Sequence, residues 1–102
     1  MVKIKLGLKN SGTTAAPGIH PVTDTSSEIL AANADRAWAC VTNTSAETVY
    51  IAFGRPAVAL RGLPLIRNAA YVVGGDNHTT ESITGITESG TANVAHLEST
   101  DE

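Results

Sequence analysis

The sequence predicts an all-β protein: a small antiparallel sandwich or barrel of about eight short strands, jelly-roll-like in size and strand count. Three observations point there. Apolar and polar residues alternate with a period of two in several short stretches, as in Val2, Ile4, Leu6 and Leu8 against Lys3, Lys5 and Lys9. Glycine and asparagine turn signals recur about every ten residues, and no stretch carries the apolar spacing of an amphipathic helix. Charged residues make up only 17% of the 102, which sets the chain apart from both highly charged disordered sequences and coiled coils. That length gives one domain and one core.

Taken in order, VKIKLGLK (2–9) reads as a strand with one wet, lysine-bearing face, either a solvated edge or a binding surface. Residues 10–28 are rich in Ser, Thr, Gly and Pro, and Pro17-Gly18 and His20-Pro21 prevent helix. Residues 1–27 are therefore expected to form a strand and an extended arm, with only Ile19 and Val22 as apolar anchors. The body is expected over 28–98, followed by an acidic tail at 99–102. Within it, 28–31 reads as a short strand and Asn33 to Asp35 as a turn, with one helical turn over Leu30 to Arg36 as the alternative. RAWACVTN (36–43) reads as a central strand, because both its faces, Trp38/Cys40/Thr42 and Ala37/Ala39/Val41, are mostly apolar. Residues 47–53 follow after a polar turn, so 36–43 and 47–53 read as a hairpin, with Val49, Ile51 and Phe53 on one face and Tyr50 on the other. Ala57 to Leu60 and Leu63 to Ile66 are short apolar pieces around Arg61-Gly62, and Ala69 to Val73 is a clearer strand closed by Gly74-Gly75-Asp76-Asn77. Residues 81–87 and 91–97 read as the last pair.

Charge and composition narrow the function. Seven basic against ten acidic residues give a net charge of −3, which offers no general attraction for nucleic acid or an anionic membrane. Cys40 is the only cysteine, so no internal disulfide forms, and it reads as a small buried side chain. No apolar run approaches the length of a membrane span, and the alternating start MVKIKLGLK is unlike a signal peptide, so the expectation is a chain that is made in the cytoplasm without export. His20, His78 and His96 are far apart, and no two have ligand spacing; His78 beside Asp76 is the best single metal candidate and otherwise an ordinary surface histidine. There is no G-x-S-x-G elbow and no phosphate-binding glycine loop; Gly74, Gly75, Gly85 and Gly90 are read as turn residues. Trp38 and Phe53 fall on expected core faces, which leaves Tyr50 and Tyr71 as the aromatic rings available to a ligand or a neighbouring subunit. The expectation is a non-enzyme with no cofactor and no metal.

The central sequence, ILAANADRAWACVTNTSAETVYIAFGRPAVALRGLPLIRNAAYVV, resembles small structural proteins of tailed bacteriophages. The likeness lies in an "ILAAN-x-x-R" opening, "VYI-x-FG-x-PAVA", "G-x-PL" and an aromatic strand, with "ITGITESGTANVAHLE" similar to a closing hairpin; it covers about residues 28 to 98. The chain departs from it at Arg67-Asn68, where related chains often have Pro-Gly. The resemblance implies a small β-sandwich or barrel of the virion, including capsid decoration (cement) proteins and small tail or fibre components. It supplies no catalytic residues.

The leading expectation is thus a decoration protein on the capsid surface, binding the major capsid protein as a homo-oligomer, with a trimer as the first guess. Its candidate interface residues are Lys3, Lys5, Lys9, Tyr50, Arg55, Arg61, Arg67 and Tyr71. The three arginines recur every six residues near turns, either as solvated charges or as bidentate contacts to acidic groups on a neighbour. The alternative is a tail or fibre component that binds a host glycan through Tyr50 and Tyr71.

Overall fold

The computed structural model describes residues 13–14 and 16–100. The strand expected at 2–9, with Lys3, Lys5 and Lys9, and the last two acidic residues lie outside them. The chain runs β1 (Thr13–Thr14), β2 (Gly18–Val22), β3 (Ser27–Leu30), β4 (Arg36–Asn43), β5 (Val49–Phe53), β6 (Leu63–Leu65), β7 (Ala70–Val73), β8 (Ile83–Thr87) and β9 (Ala92–Thr100), with one 3₁₀ turn at Gly75–Asn77.

The antiparallel pairs are nested: β2 with β9, β3 with β8, β4 with β7 and β5 with β6. The chain is in effect one long two-stranded ribbon, with its tip between β5 and β6, wrapped on itself. Further pairing of β9 with β4 and of β8 with β5 closes the ribbon into two sheets. Sheet A has the order β2, β9, β4, β7, with β1 continuing the β2 edge along the other half of β9; sheet B has the order β3, β8, β5, β6. Nested pairing with successive strands in alternate sheets is the jelly-roll arrangement, a double-sheet sandwich.

This corrects several expectations. Residues 36–43 and 47–53 are not a hairpin, because β4 lies in sheet A and β5 in sheet B; β8 and β9 are likewise in opposite sheets. The two polar connections are crossings side by side over one end of the sandwich, and side chains tie them down. Thr44 donates from its backbone nitrogen and its hydroxyl to the Asn93 carbonyl, and the Ser45 hydroxyl accepts from the Asn93 backbone. At the other crossing the Thr87 hydroxyl donates to the Gly90 carbonyl. Residues 18–22, expected in an arm, form an edge strand of sheet A, and Val22 is fully buried in the core. The strand role of a Pro-containing stretch is allowed there because Pro21 sits on an edge. At the other end of the chain, β9 continues through Ser99, which is buried, so the expected tail begins inside the sheet. Residues 57–60 form no strand.

Between the sheets Val22, Ile29, Val41, Val49, Ile51, Leu65, Val73, Ile83 and Val94 form the core. The inward face of β4 is Ala37/Ala39/Val41; Trp38, expected on a core face, lies half-buried on the other face, since only small side chains fit the buried side of this central strand. Gly85 is no turn residue either. It lies in the middle of β8, where a Cβ would come within 2.8 Å of Ile29 Cδ1 and 3.3 Å of Val49 Cγ1, so close packing of the sheets requires it.

Candidate docking loop and polar end of the sandwich

The segment between β5 and β7 is the most unusual surface among the described residues. Phe53 ends β5, and Gly54, at a φ of 69°, turns the chain back across sheet B. The returning segment is pinned at its base. Thr84 donates its hydroxyl to the carbonyls of Ala52 and Arg55 at 3.2 and 2.7 Å, and the Ala57 amide donates to the Ser26 hydroxyl at 2.8 Å, burying Ala57. Beyond Ala57 the chain leaves the surface in a turn closed by Arg61 N to Val58 O at 3.1 Å, and Gly62 (φ 83°) returns it to β6 against the Ile51 carbonyl.

Three apolar side chains face solvent here: Val58, Leu60 at 62% and Ile66 at 63% exposure. Leu60 holds a φ of 65°, a left-handed conformation that a non-glycine residue adopts at a cost of about 1–2 kcal/mol. Asn68 also sits at 65°, in the turn closed by Ala69 N to Ile66 O, and asparagine takes that conformation readily. The departure at Arg67-Asn68 thus still makes a turn. Arg55, Arg61 and Arg67 are all exposed in the same segment, and among the described residues none has an ionic partner. A strained, exposed leucine set among apolar and arginine side chains makes this loop a candidate interface, since interfaces favour arginine over lysine and glutamate.

The two tyrosines do not form one platform. Tyr50 lies on the outer face of sheet B, opposite Ile86 and Pro64. Tyr71 belongs to sheet A and packs against the core beside Phe53, with ring centroids 5.6 Å apart, and its hydroxyl accepts a hydrogen bond from Asn77 Nδ2 at 3.2 Å.

At one end the interior of the sandwich turns polar, which the sequence did not disclose. Arg36, only 1% exposed, donates Nε to Glu98 Oε2 at 2.6 Å, Nη1 to the carbonyls of Thr79 and Glu81 at 3.0 and 2.8 Å, and Nη2 to the Ala31 carbonyl at 2.9 Å. The guanidinium holds two separate segments, at Ala31 and at Thr79 to Glu81, to the end of β9. His78 donates Nε2–H to the Arg36 carbonyl at 2.6 Å, so this histidine braces the same corner. Among the described residues no group of three or more His, Cys, Asp and Glu is disposed to hold a metal ion.

His20 and His96 lie away from this corner, towards the Asn43 end of sheet A, where His20 is opposite Val94 and His96 opposite Val41. His96 is half-buried, with its ring against Gly18, where a Cβ would meet Cε1 at 2.5 Å; His20 Nε2 is 2.9 Å from the Ser27 hydroxyl. Burial lowers the His96 pKa, the neighbouring His20 lowers it further, and Glu98 opposes both. A base whose pKa is lowered by folding takes up protons more readily when unfolded. Its contribution to stability is therefore full above the ordinary histidine value of about 6.5 and is lost as pH falls through the folded value. Urea midpoints measured from about pH 8 to about pH 5 should fall on acidification, and His96→Gln should flatten that fall relative to the wild type.

Comparison with protein-family models, with curated proteins and with solved structures found none that matches.

Proposed function

We propose that the protein is a structural component of a tailed-bacteriophage virion, a capsid decoration protein that binds the major capsid protein on the assembled head and stabilises the shell. The observation that carries this reading is the pinned loop at 54–68, which presents Val58, Leu60 and Ile66 to solvent together with Arg55, Arg61 and Arg67. Fixing the base of the loop through Ser26 and Thr84 reduces the ordering cost on docking, and the arginines suit an acidic shell surface. The sandwich architecture, shared by capsid domains among others, and the resemblance over residues 28 to 98 support the same reading. Assembly as a symmetric homo-oligomer, a trimer in the simplest arrangement, multiplies these contacts and adds avidity.

The glycan-binding alternative through Tyr50 and Tyr71 has less support, since the rings belong to different sheets and Tyr71 is committed to the core. The docking reading predicts that Leu60→Asp, which alters an exposed side chain, folds normally but binds purified heads roughly tenfold or more weakly in co-sedimentation. Binding equal to that of the wild type would remove the loop from the interface.

A further inference from the structure

An open cleft of about 350 Å³ lies where the lead-in to β3, the start of β8 and the end of β5 meet at one end of sheet B. We infer that this cleft is a binding site for a neutral saccharide. Its chemistry is the first argument. Glu28 and Arg55 line it and are exposed, and among the described residues neither has an ionic partner. One is an acceptor only and the other a donor only. An anion suits Arg55 but is repelled by Glu28, and a cation is opposed in the reverse sense. A neutral diol satisfies both, donating to the carboxylate and accepting from the guanidinium.

The remaining lining adds hydroxyls with capacity to spare. Ser82 has no side-chain partner among the described residues, Ser26 uses its oxygen to accept from Ala57 and keeps its own O–H, and Ser27 makes a single bond to His20. Pro56 and Gly54 give the lining an apolar portion against which the C–H face of a sugar ring can lie. The volume is at the small end of ligand sites, which matches one or two rings instead of a long chain. The walls are also held in place: the Thr84 hydroxyl fixes the Arg55 carbonyl at 2.7 Å, and Gly54 N donates to the Ser82 carbonyl at 2.9 Å, so the two sides keep their spacing before a ligand arrives. This site shares Arg55 and the loop base at Ser26 and Thr84 with the docking loop but none of its exposed apolar side chains, and its test needs no capsid.

The test titrates the isolated chain with the methyl α-glycosides of glucose, galactose, mannose and N-acetylglucosamine, following backbone amide shifts by NMR. At least one glycoside is expected to give saturable shifts centred on Gly54, Ser82 and Thr84. Glu28→Gln, an exposed substitution, is expected to weaken that binding roughly tenfold or more, the loss that accompanies removal of a hydrogen bond to a charged group. Absence of saturable shifts with all four glycosides would overturn the inference. So would equal shifts at the same amides with inorganic phosphate or free glycine, or binding unaffected by Glu28→Gln.

Discussion

Arg36→Ala is expected to lower the free energy of unfolding by about 3–5 kcal/mol, the range for removing one partner of a buried ion pair. The arginine side chain is fully buried, and its loss leaves the Glu98 carboxylate without its cation. The carbonyls of Ala31, Thr79 and Glu81 lose their donor at the same time. A domain of this size has a total stability of about 5–15 kcal/mol, so the variant loses a large fraction of it. Urea unfolding followed by far-ultraviolet circular dichroism measures the change. Arg36→Met combined with Glu98→Leu should recover part of the loss, because apolar groups then replace both charges. If Arg36→Ala shifted stability by less than about 1 kcal/mol, this polar corner would not hold the sandwich end together.

Asn43→Ala should cost about 2–4 kcal/mol, for a different reason. Asn43 is fully buried at the end of β4, where the chain crosses to sheet B. Its Nδ2 donates to the carbonyls of Glu47 and Leu65 at 2.7 and 2.8 Å, and its Oδ1 accepts from the Ser45 amide at 2.9 Å. The side chain thereby shapes the crossing and joins it to β6. Alanine leaves two carbonyls and one amide unpaired near the core. Asn43→Asp keeps the acceptor but brings a carboxylate against the two carbonyls, so it should be destabilised as well, whereas exposed Asn93→Ala should change stability by no more than about 0.5 kcal/mol. Thermal melts of the three variants at one pH distinguish the side-chain role from a general intolerance of substitution at the crossing.

The strands were legible where a period of two survives in the sequence. Val49, Ile51 and Phe53 do face the core, β4 is a central strand, and the turns at Asn33 and Gly90 occur as read. Their pairing was not legible. A tight hairpin and a crossing between sheets use the same turn residues, and Asn43 to Glu47 looks like either; only the contacts of Asn43 with Leu65 and of Thr44 with Asn93, 22 and 49 residues away, separate them. Arg36 was hidden for a similar reason, since its carboxylate partner is 62 residues distant. A charged residue opening a strand with two apolar faces was the available signal. Val22 was read as an anchor of an extended arm and not as core, because the prolines around it argue against a strand, although an edge position tolerates them.

The stretch at 54–68 was legible as two short pieces around a turn, and its arginines do lie exposed. What the sequence could not convey is that only Leu63–Leu65 forms strand, while Val58 and Leu60 project from a loop pinned to sheet B. The cleft beside that loop was invisible for the same reason: Glu28, Arg55 and Ser82 are brought together only by the β3, β8 and β5 neighbourhood.

The most direct test of the virion assignment is a quantitative mass-spectrometric count of this chain on purified particles, set against the major capsid protein. A decoration protein is expected in hundreds of copies, in a fixed small-integer ratio to the capsid protein, as the symmetry of a shell requires. A handful of copies would place the chain in the tail and contradict the decoration role, and its absence from the particles would contradict the virion assignment altogether.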